Sequence, residues 1–195
     1  MTTILPALLE RFANEVLIDR GVRGDVAHHV AEGLTQASLR GVDSHGIRLL
    51  PHYVRALEAG RLNPNPEFQF EQTSTTTGKL DADHAFGHAS GAEGMGRAIA
   101  MARNDGMGSV AVRNSSHFGA AAYFSLMAAW QGMIGLSFTH ADALVLSFGG
   151  SRPFFGTNPI CFAAPCGAEE PFCLDMATST VTWNRLLKVS GDTGE

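Results

Sequence analysis

Residues 43–48, Asp-Ser-His-Gly-Ile-Arg, place a histidine and an arginine three positions apart. On a helix this spacing puts both side chains on one face. A histidine, with an ordinary pKa of about 6.5, can donate a proton to a forming alkoxide near neutral pH. The planar guanidinium of an arginine matches a carboxylate with two parallel hydrogen bonds. His45 and Arg48 together therefore suit a substrate that carries a carbonyl beside a carboxylate, such as a 2-oxo acid.

The same segment has a second interpretation. Ser44 is placed either to hydrogen-bond the His45 imidazole or to cap the helix, and Asp43 is an equally good cap. If the two residues only cap the helix, His45 and Arg48 lie on its solvated face and do no chemistry. The spacing alone does not choose between the two interpretations.

A second candidate histidine stands in residues 115–119, Ser-Ser-His-Phe-Gly, between a predicted strand and a predicted helix. Hydroxyls and unpaired backbone N–H groups at a helix start attract anions such as a pyrophosphate. His117 is then either a second acid or base or a cofactor contact, and the alternative is a simple capping turn. Residues 175–179, Asp-Met-Ala-Thr-Ser, also join a strand to a predicted helix.

Two common ligand motifs are not supported. The glycine-rich run 91–96 lacks the Gly-x-Gly-x-x-Gly spacing and no Walker loop is present, so the pattern does not indicate a Rossmann fold. His84 and His88 are four apart and follow Asp81 and Asp83, but a zinc site needs three or four ligands at defined positions. We favour a solvated turn and predict no metal, which leaves a metal-dependent hydrolase as a minor hypothesis.

The first third of the chain reads as helical. Apolar residues at helical spacing predict three helices. The first helix ends at Gly21, the second runs from the N-cap Asp25 to near Gly41, and the third runs from Ser44 to Gly60. Two prolines in residues 62–66 cannot continue a helix, and we place a domain boundary there. The prediction is a helical domain over residues 1–66 and a second domain over residues 67–195.

Strands alternate with helices in the second domain, which predicts an α/β fold class. The predicted strands cover residues 67–72, 77–81, 109–112, 133–138, 160–164 and 171–174, and the predicted helices cover 88–103, 119–130 and 180–189. A strand, a helix and a strand over residues 109–138 predict a crossover unit, which would make its two strands parallel.

Composition excludes several partners. The 195 residues carry a net charge of −5 without a Lys/Arg cluster, which argues against nucleic acid. No apolar stretch reaches the roughly 20 residues of a membrane-spanning helix, and no signal peptide is visible. Cys161, Cys166 and Cys173 form no Cys-x-x-Cys pair, which predicts reduced thiols in a cytoplasmic protein.

Five segments together resemble the type 2 malate/L-lactate dehydrogenase family, a non-Rossmann group that includes ureidoglycolate, sulfolactate and 2,3-diketogulonate oxidoreductases. They are residues 40–46, 116–119, 148–150, 156–159 and 175–179, in family order and at family-like spacing. The resemblance implies an N-terminal helical domain, a mixed-sheet α/β cofactor-binding domain and a homodimer. It also implies hydride transfer between NAD or NADP and a small 2-hydroxy or 2-oxo acid, or a related imine.

The resemblance further implies residue roles. His45 donates the proton to the substrate with support from Ser44, and Arg48 holds the substrate carboxylate. His117 lies at the nicotinamide and the substrate and is the acid or base in some members, so the choice between the two histidines stays open. Cofactor contacts are implied for His117, Phe118, Gly119, Ala141, Asp175, Met176 and Ala177.

The chain departs from the family pattern in three places. Residues 183–185, Trp-Asn-Arg, replace a Gly-Lys pair, and Thr139-His140 stands where many members have Thr-Asn. Relatives continue well past residue 195, which predicts a C-terminally truncated chain. The alternative function is therefore a catalytically inactive fragment that only binds nucleotide or dimerises.

Overall fold

The computed structural model describes residues 4–179 and shows an α/β protein, as predicted. The helices are α1 (Pro6–Ile18), α2 (Gly24–Leu39), α3 (Leu50–Glu58), α4 (Gly87–Asp105) and α5 (Ala122–Ala129), with 3₁₀ turns at Asp43–His45 and Ile47–Leu49. The strands are β1 (Gln69–Gln72), β2 (Thr77–Asp81), β3 (Ser109–Arg113), β4 (Gly135–Phe138), β5 (Val145–Leu146), β6 (Pro153–Phe155), β7 (Ile160–Cys166) and β8 (Glu169–Met176). The helix predicted over residues 180–189 lies outside the described residues. No described helix is long and apolar enough to cross a membrane.

The chain divides after Ala120 into two compact units. The first holds α1–α4 and β1–β3, and the second holds α5 and β4–β8. The boundary predicted at residue 66 falls inside the first unit. Phe86 and Ala89 of the predicted second domain pack in the same apolar core as Leu34 of α2.

The first unit packs four helices around one core and places a small sheet beside α4. Strand β1 pairs antiparallel with β2, and β2 pairs parallel with β3. The 19-residue helix α4 is the crossover between the parallel strands. The crossover predicted over residues 109–138 is wrong. Strand β3 pairs with β2, whereas β4 lies in the other three-stranded sheet.

The start of α2 also differs from its prediction. Asp25 lies inside the first turn of the helix, which begins at Gly24, and makes no capping hydrogen bond. Its carboxylate instead forms an ion pair with Arg23, with Nε and Oδ1 2.6 Å apart. The Arg23 guanidinium lowers the pKa of this carboxyl, and an acidic group still suits the positive end of the helix.

The second unit is an antiparallel sheet in the order β4-β7-β8, with α5 packed on one face and a β5–β6 hairpin. Small residues at the contact allow α5 to approach the sheet closely. A Cβ at Gly135 would overlap the backbone carbonyl of Ser125, and the Ser125 and Ser137 hydroxyl oxygens are 2.6 Å apart. The three cysteines are free thiols, and burial raises the pKa of Cys161 to about 12.

Candidate active site

The candidate active site lies in the first unit, where the chain leaves the carboxyl ends of parallel strands β2 and β3. His88 lies in the first turn of α4, the helix that follows β2, and His117 stands in the loop that follows β3. The 3₁₀ turn before α3 supplies His45, and α3 itself supplies Tyr53. The crevice at the carboxyl ends of parallel strands is where open α/β sheets bind ligands.

Two of the histidines predicted to do chemistry face each other. The rings of His45 and His117 are stacked, with centroids 5.6 Å apart and planes inclined by 17°. The Ser44 hydroxyl oxygen is 3.0 Å from Nδ1 of His45, within hydrogen-bond distance of the ring. Residues 72 positions apart in sequence are thus brought together, as an acid–base site requires.

The single helix predicted from Ser44 is broken at Gly46, whose backbone is extended. His45 and Arg48 therefore occupy two separate 3₁₀ turns and do not share one helix face. Gly46 is closely packed against α2, because a Cβ at this position would overlap the Ser38 hydroxyl. That hydroxyl also accepts a hydrogen bond from the Ile47 N–H at 3.0 Å.

Arg48 is exposed, and within residues 4–179 it makes no hydrogen bond or ion pair. Its guanidinium is consequently available to a ligand. A planar cation of this kind is suited to a carboxylate, as the sequence predicted.

The loop that carries His117 is fixed to the start of α4. The Ser116 hydroxyl accepts a hydrogen bond from the Gly87 N–H at 2.9 Å, and the Ser115 hydroxyl lies 2.5 Å from the hydroxyl of Ser90. A Cβ at Gly87 would lie 2.5 Å from backbone atoms of residues 116, 117 and 118. These contacts tie the loop that carries His117 to the first turn of α4.

Helix α5, predicted to begin at Gly119, begins at Ala122, and its first N–H is already paired. The Ala122 N–H donates to Oδ2 of Asp175 in β8 at 2.8 Å. This carboxylate is placed where it complements the positive end of the helix. Asp175 is exposed, and its Oδ1 has no hydrogen-bond partner in the described part of the chain.

Tyr53 is a site residue that the sequence interpretation assigned only to an apolar helix face. Its hydroxyl oxygen is 2.7 Å from Nδ1 of His117, and its ring is almost completely buried. Burial raises the pKa of this phenol well above its ordinary value. The available signal was the residue type, because a tyrosine in an apolar stripe needs a partner for its hydroxyl.

His88 is a second residue whose place the sequence did not reveal. Its imidazole is fully buried, 5.4 Å from the Tyr53 ring between centroids, and a Cβ at Gly33 or at Gly119 would collide with it. Burial, followed by the neighbouring His117 and His45, lowers its pKa to about 3.

The proposed histidine pair for a metal does not form a common site. His84 is exposed with a φ of 58°, whereas His88 lies in the core. Within residues 4–179 no group of three or more His, Cys, Asp or Glu side chains is placed to hold a metal ion.

The other predicted cofactor residues lie in the second unit. The Ala141 N–H donates to Oδ1 of Asn158 at 3.0 Å, which joins the segment after β4 to the segment before β7. Met176 ends β8 with its side chain 53% exposed, and Ala177 follows it half-buried. Thus the structure groups His45, Ser44 and His117 directly and describes Ala141 and residues 175–177 in a separate unit.

The fold and the site together define a non-Rossmann α/β protein in which the rings of two histidines, His45 and His117, are stacked. The chain belongs to the malate/L-lactate dehydrogenase family, whose sequence profile matches residues 4–192. It is 43% identical over 175 residues to a malate dehydrogenase of Pyrococcus abyssi, covering 90% of this chain and 48% of that protein. It is 36% identical over 179 residues to an Escherichia coli O157:H7 ureidoglycolate dehydrogenase (NAD(+)), covering 92% and 51%.

Solved structures show the same fold. The malate dehydrogenase of Pyrococcus horikoshii OT3 matches with a TM-score of 0.91 and 40% identity, over 95% of this chain and 53% of that one. The recognised family and the non-Rossmann α/β class are therefore confirmed. The chain spans about half the length of the curated relatives it matches.

Proposed function

We propose that the protein is an oxidoreductase that transfers a hydride between NAD or NADP and a small 2-hydroxy or 2-oxo acid. The observation that carries the proposal is the stacked pair of His45 and His117, with ring centroids 5.6 Å apart. The relatives support the substrate class, because their names include malate and ureidoglycolate dehydrogenases. A cytoplasmic homodimer, implied by the resemblance, is part of the same proposal.

In the direction of reduction, negative charge develops on the substrate oxygen and must be neutralised by a proton. We assign the donor role to His45, whose Nδ1 lies 3.0 Å from the Ser44 hydroxyl oxygen, and leave His117 as the alternative at this stage. Arg48 binds the substrate carboxylate through its exposed guanidinium, which has no protein partner within residues 4–179.

The residues proposed to contact the cofactor fit a nicotinamide and its ribose. Asp175 keeps one carboxylate oxygen without a partner among the described residues, and that oxygen can accept a hydrogen bond from a hydroxyl or an amide. The remaining proposed contacts are small, aromatic or apolar; they are His117, Phe118, Gly119, Ala141, Met176 and Ala177. When bound, the cofactor supplies or accepts the hydride.

The proposal is tested in two steps. NADH and NADPH are titrated separately into the purified chain by calorimetry, and a panel of 2-oxo acids is then assayed by loss of nicotinamide absorbance. We expect saturable binding, turnover with at least one acid, and a fall in kcat of about 100-fold or more in His45→Asn. The Kd of the cofactor should change little in that variant, and near-normal turnover would move the donor role to His117.

A second candidate follows from the coverage of only about half of each relative. On this alternative the chain binds a nucleotide but does not turn it over. Saturable cofactor binding by folded protein, without oxidation by any acid in the panel, supports the alternative. No binding at all by folded protein contradicts both candidates.

A further inference from the structure

The Tyr53 side chain is buried between aromatic rings, and its hydroxyl has one hydrogen-bond partner among the described residues. The ring centroid is 6.2 Å from that of Phe86 and 5.4 Å from that of His88, and the residue is 1% exposed. Its oxygen is 2.7 Å from Nδ1 of His117, and no other hydrogen-bond partner exists for it within residues 4–179.

The direction of this hydrogen bond follows from counting hydrogens. If a proton on Nδ1 of His117 were donated to the phenol, the hydrogen of the Tyr53 hydroxyl would have no acceptor in the core. Leaving a buried donor unsatisfied costs more than a typical hydrogen bond contributes. Burial also raises the pKa of Tyr53, which keeps the phenol protonated. Tyr53 is therefore the donor, and Nδ1 of neutral His117 is the acceptor.

We propose that Tyr53 is a positioning residue that holds neutral His117 in the tautomer with its proton on Nε2. In this tautomer Nε2 offers an N–H and has no lone pair with which to take up a proton. Resting on the proposed function, the assignment makes His117 a hydrogen-bond donor to the substrate oxygen. His45 is then the residue that exchanges the proton with that oxygen.

The surroundings of Tyr53 restrict the ring that carries the donor. The buried imidazole of His88 stands edge-on to it, with ring planes inclined by 77°. That imidazole is itself enclosed, because any side chain at Gly33 or Gly119 would collide with it. The packing thus holds the Tyr53 hydroxyl within hydrogen-bond distance of Nδ1 of His117.

The tautomer can be measured directly by NMR on the chain labelled with ¹⁵N-histidine. Long-range ¹H–¹⁵N correlations distinguish a protonated from an unprotonated ring nitrogen, and the His117 signals are assigned by their loss in His117→Gln. At a pH where the ring is neutral, we expect Nε2 to be protonated and Nδ1 unprotonated. A His117 ring with its proton on Nδ1 would overturn the proposal, whatever the behaviour of any variant.

Two variants separate positioning from general structure. Tyr53→Phe keeps the ring and removes the donor, and the ratio of Nε2–H to Nδ1–H forms of His117 should fall about fivefold. Ser44→Ala is the matched control, because it removes the hydroxyl beside Nδ1 of His45 and should leave the His117 ratio unchanged. An unchanged ratio in folded Tyr53→Phe contradicts the proposal. The measurement needs no substrate or cofactor, so absence of turnover would refute the proposed function without affecting this result.

Discussion

Among the single side chains of the site, Arg48 is suited to substrate binding alone. Its guanidinium is exposed and makes no ion pair within the described residues, so replacement should not disturb the fold. Arg48→Lys keeps the charge but loses the planar fork. We expect KM for the 2-oxo acid to rise about tenfold and kcat to change by less than about twofold, as measured by steady-state kinetics.

Arg55→Lys, at another exposed position on α3, is the control and should leave both kinetic constants near their wild-type values. A kcat that falls as much as kcat/KM in Arg48→Lys, with KM unchanged, would place the arginine in transition-state stabilisation and contradict the prediction.

The sequence reveals those site residues that belong to local motifs, but not those whose roles depend on contacts between distant segments. His45, His117 and Arg48 were found because their residue types carry chemistry and their motifs resemble a family. Tyr53 and His88 were missed because their roles arise from contacts across the fold. In sequence Tyr53 is one position of an apolar helical stripe, and the burial of His88 depends on glycines in two other segments.

At the level of elements, two glycines of α4 make a matched test of what positions the His117 loop. A Cβ at Gly87 would lie 2.5 Å from backbone atoms of residues 116–118, and backbone cannot move aside as a side chain can. Gly87→Ala should therefore lower the free energy of unfolding by about 2 kcal/mol or more. Gly96 is exposed in the same helix with nothing within 4 Å, so Gly96→Ala should raise it by about 1 kcal/mol.

Urea denaturation followed by circular dichroism gives both free energies. Equal effects of the two substitutions would show that the loop does not rest on α4 as described. In Gly87→Ala that remains folded, the His117 resonances should also shift, because the loop must move to admit the methyl group.

The elements themselves were largely predictable, and their pairing was not. Helical spacing and short apolar runs located the five helices of residues 4–179 and the strands of both three-stranded sheets, because such patterns are local. The crossover over residues 109–138 was misjudged, because strand pairing depends on which distant segment completes a sheet.

For the molecule as a whole, the buried His88 couples stability to pH. Its pKa is about 3 in the folded protein and about 6.5 when unfolded, so between these values the unfolded chain binds the additional proton. The contribution of His88 is complete above about pH 6.5 and is lost as the pH falls toward 3. We expect a loss of up to about 1.4 kcal/mol per pH unit in this window.

This dependence is measured as the free energy of urea unfolding at several pH values from 7 to 4. At pH 7 the free energy of unfolding of His88→Gln should be lower than that of wild type. As the pH falls, it should decline less steeply than wild type, by up to about 1.4 kcal/mol per pH unit. Identical slopes for wild type and His88→Gln would show that the buried imidazole does not govern the decline.

One face of the β4-β7-β8 sheet is apolar and exposed, although α5 covers the opposite face. Cross-strand partners on this face are all large and apolar; they are Leu136, Phe162 and Leu174 in one row and Phe138, Ile160 and Met176 in the next. Phe138 is 71% exposed and Phe172 is 56% exposed. Contiguous apolar patches of this kind are rare on soluble monomers and mark interaction surfaces.

We therefore expect the 20.7 kDa chain to associate with itself at micromolar concentrations, which light scattering after gel filtration would detect as a mass of at least twice that value. Phe138→Lys places a charge in the centre of a row and should shift the distribution toward the monomer, because a buried unpaired charge opposes association. Leu39→Lys, at a 64% exposed position on α2 in the other unit, is the control and should leave the mass unchanged. A wild-type chain that stays at 20.7 kDa at every concentration would contradict association through this face and remove its support for the proposed homodimer.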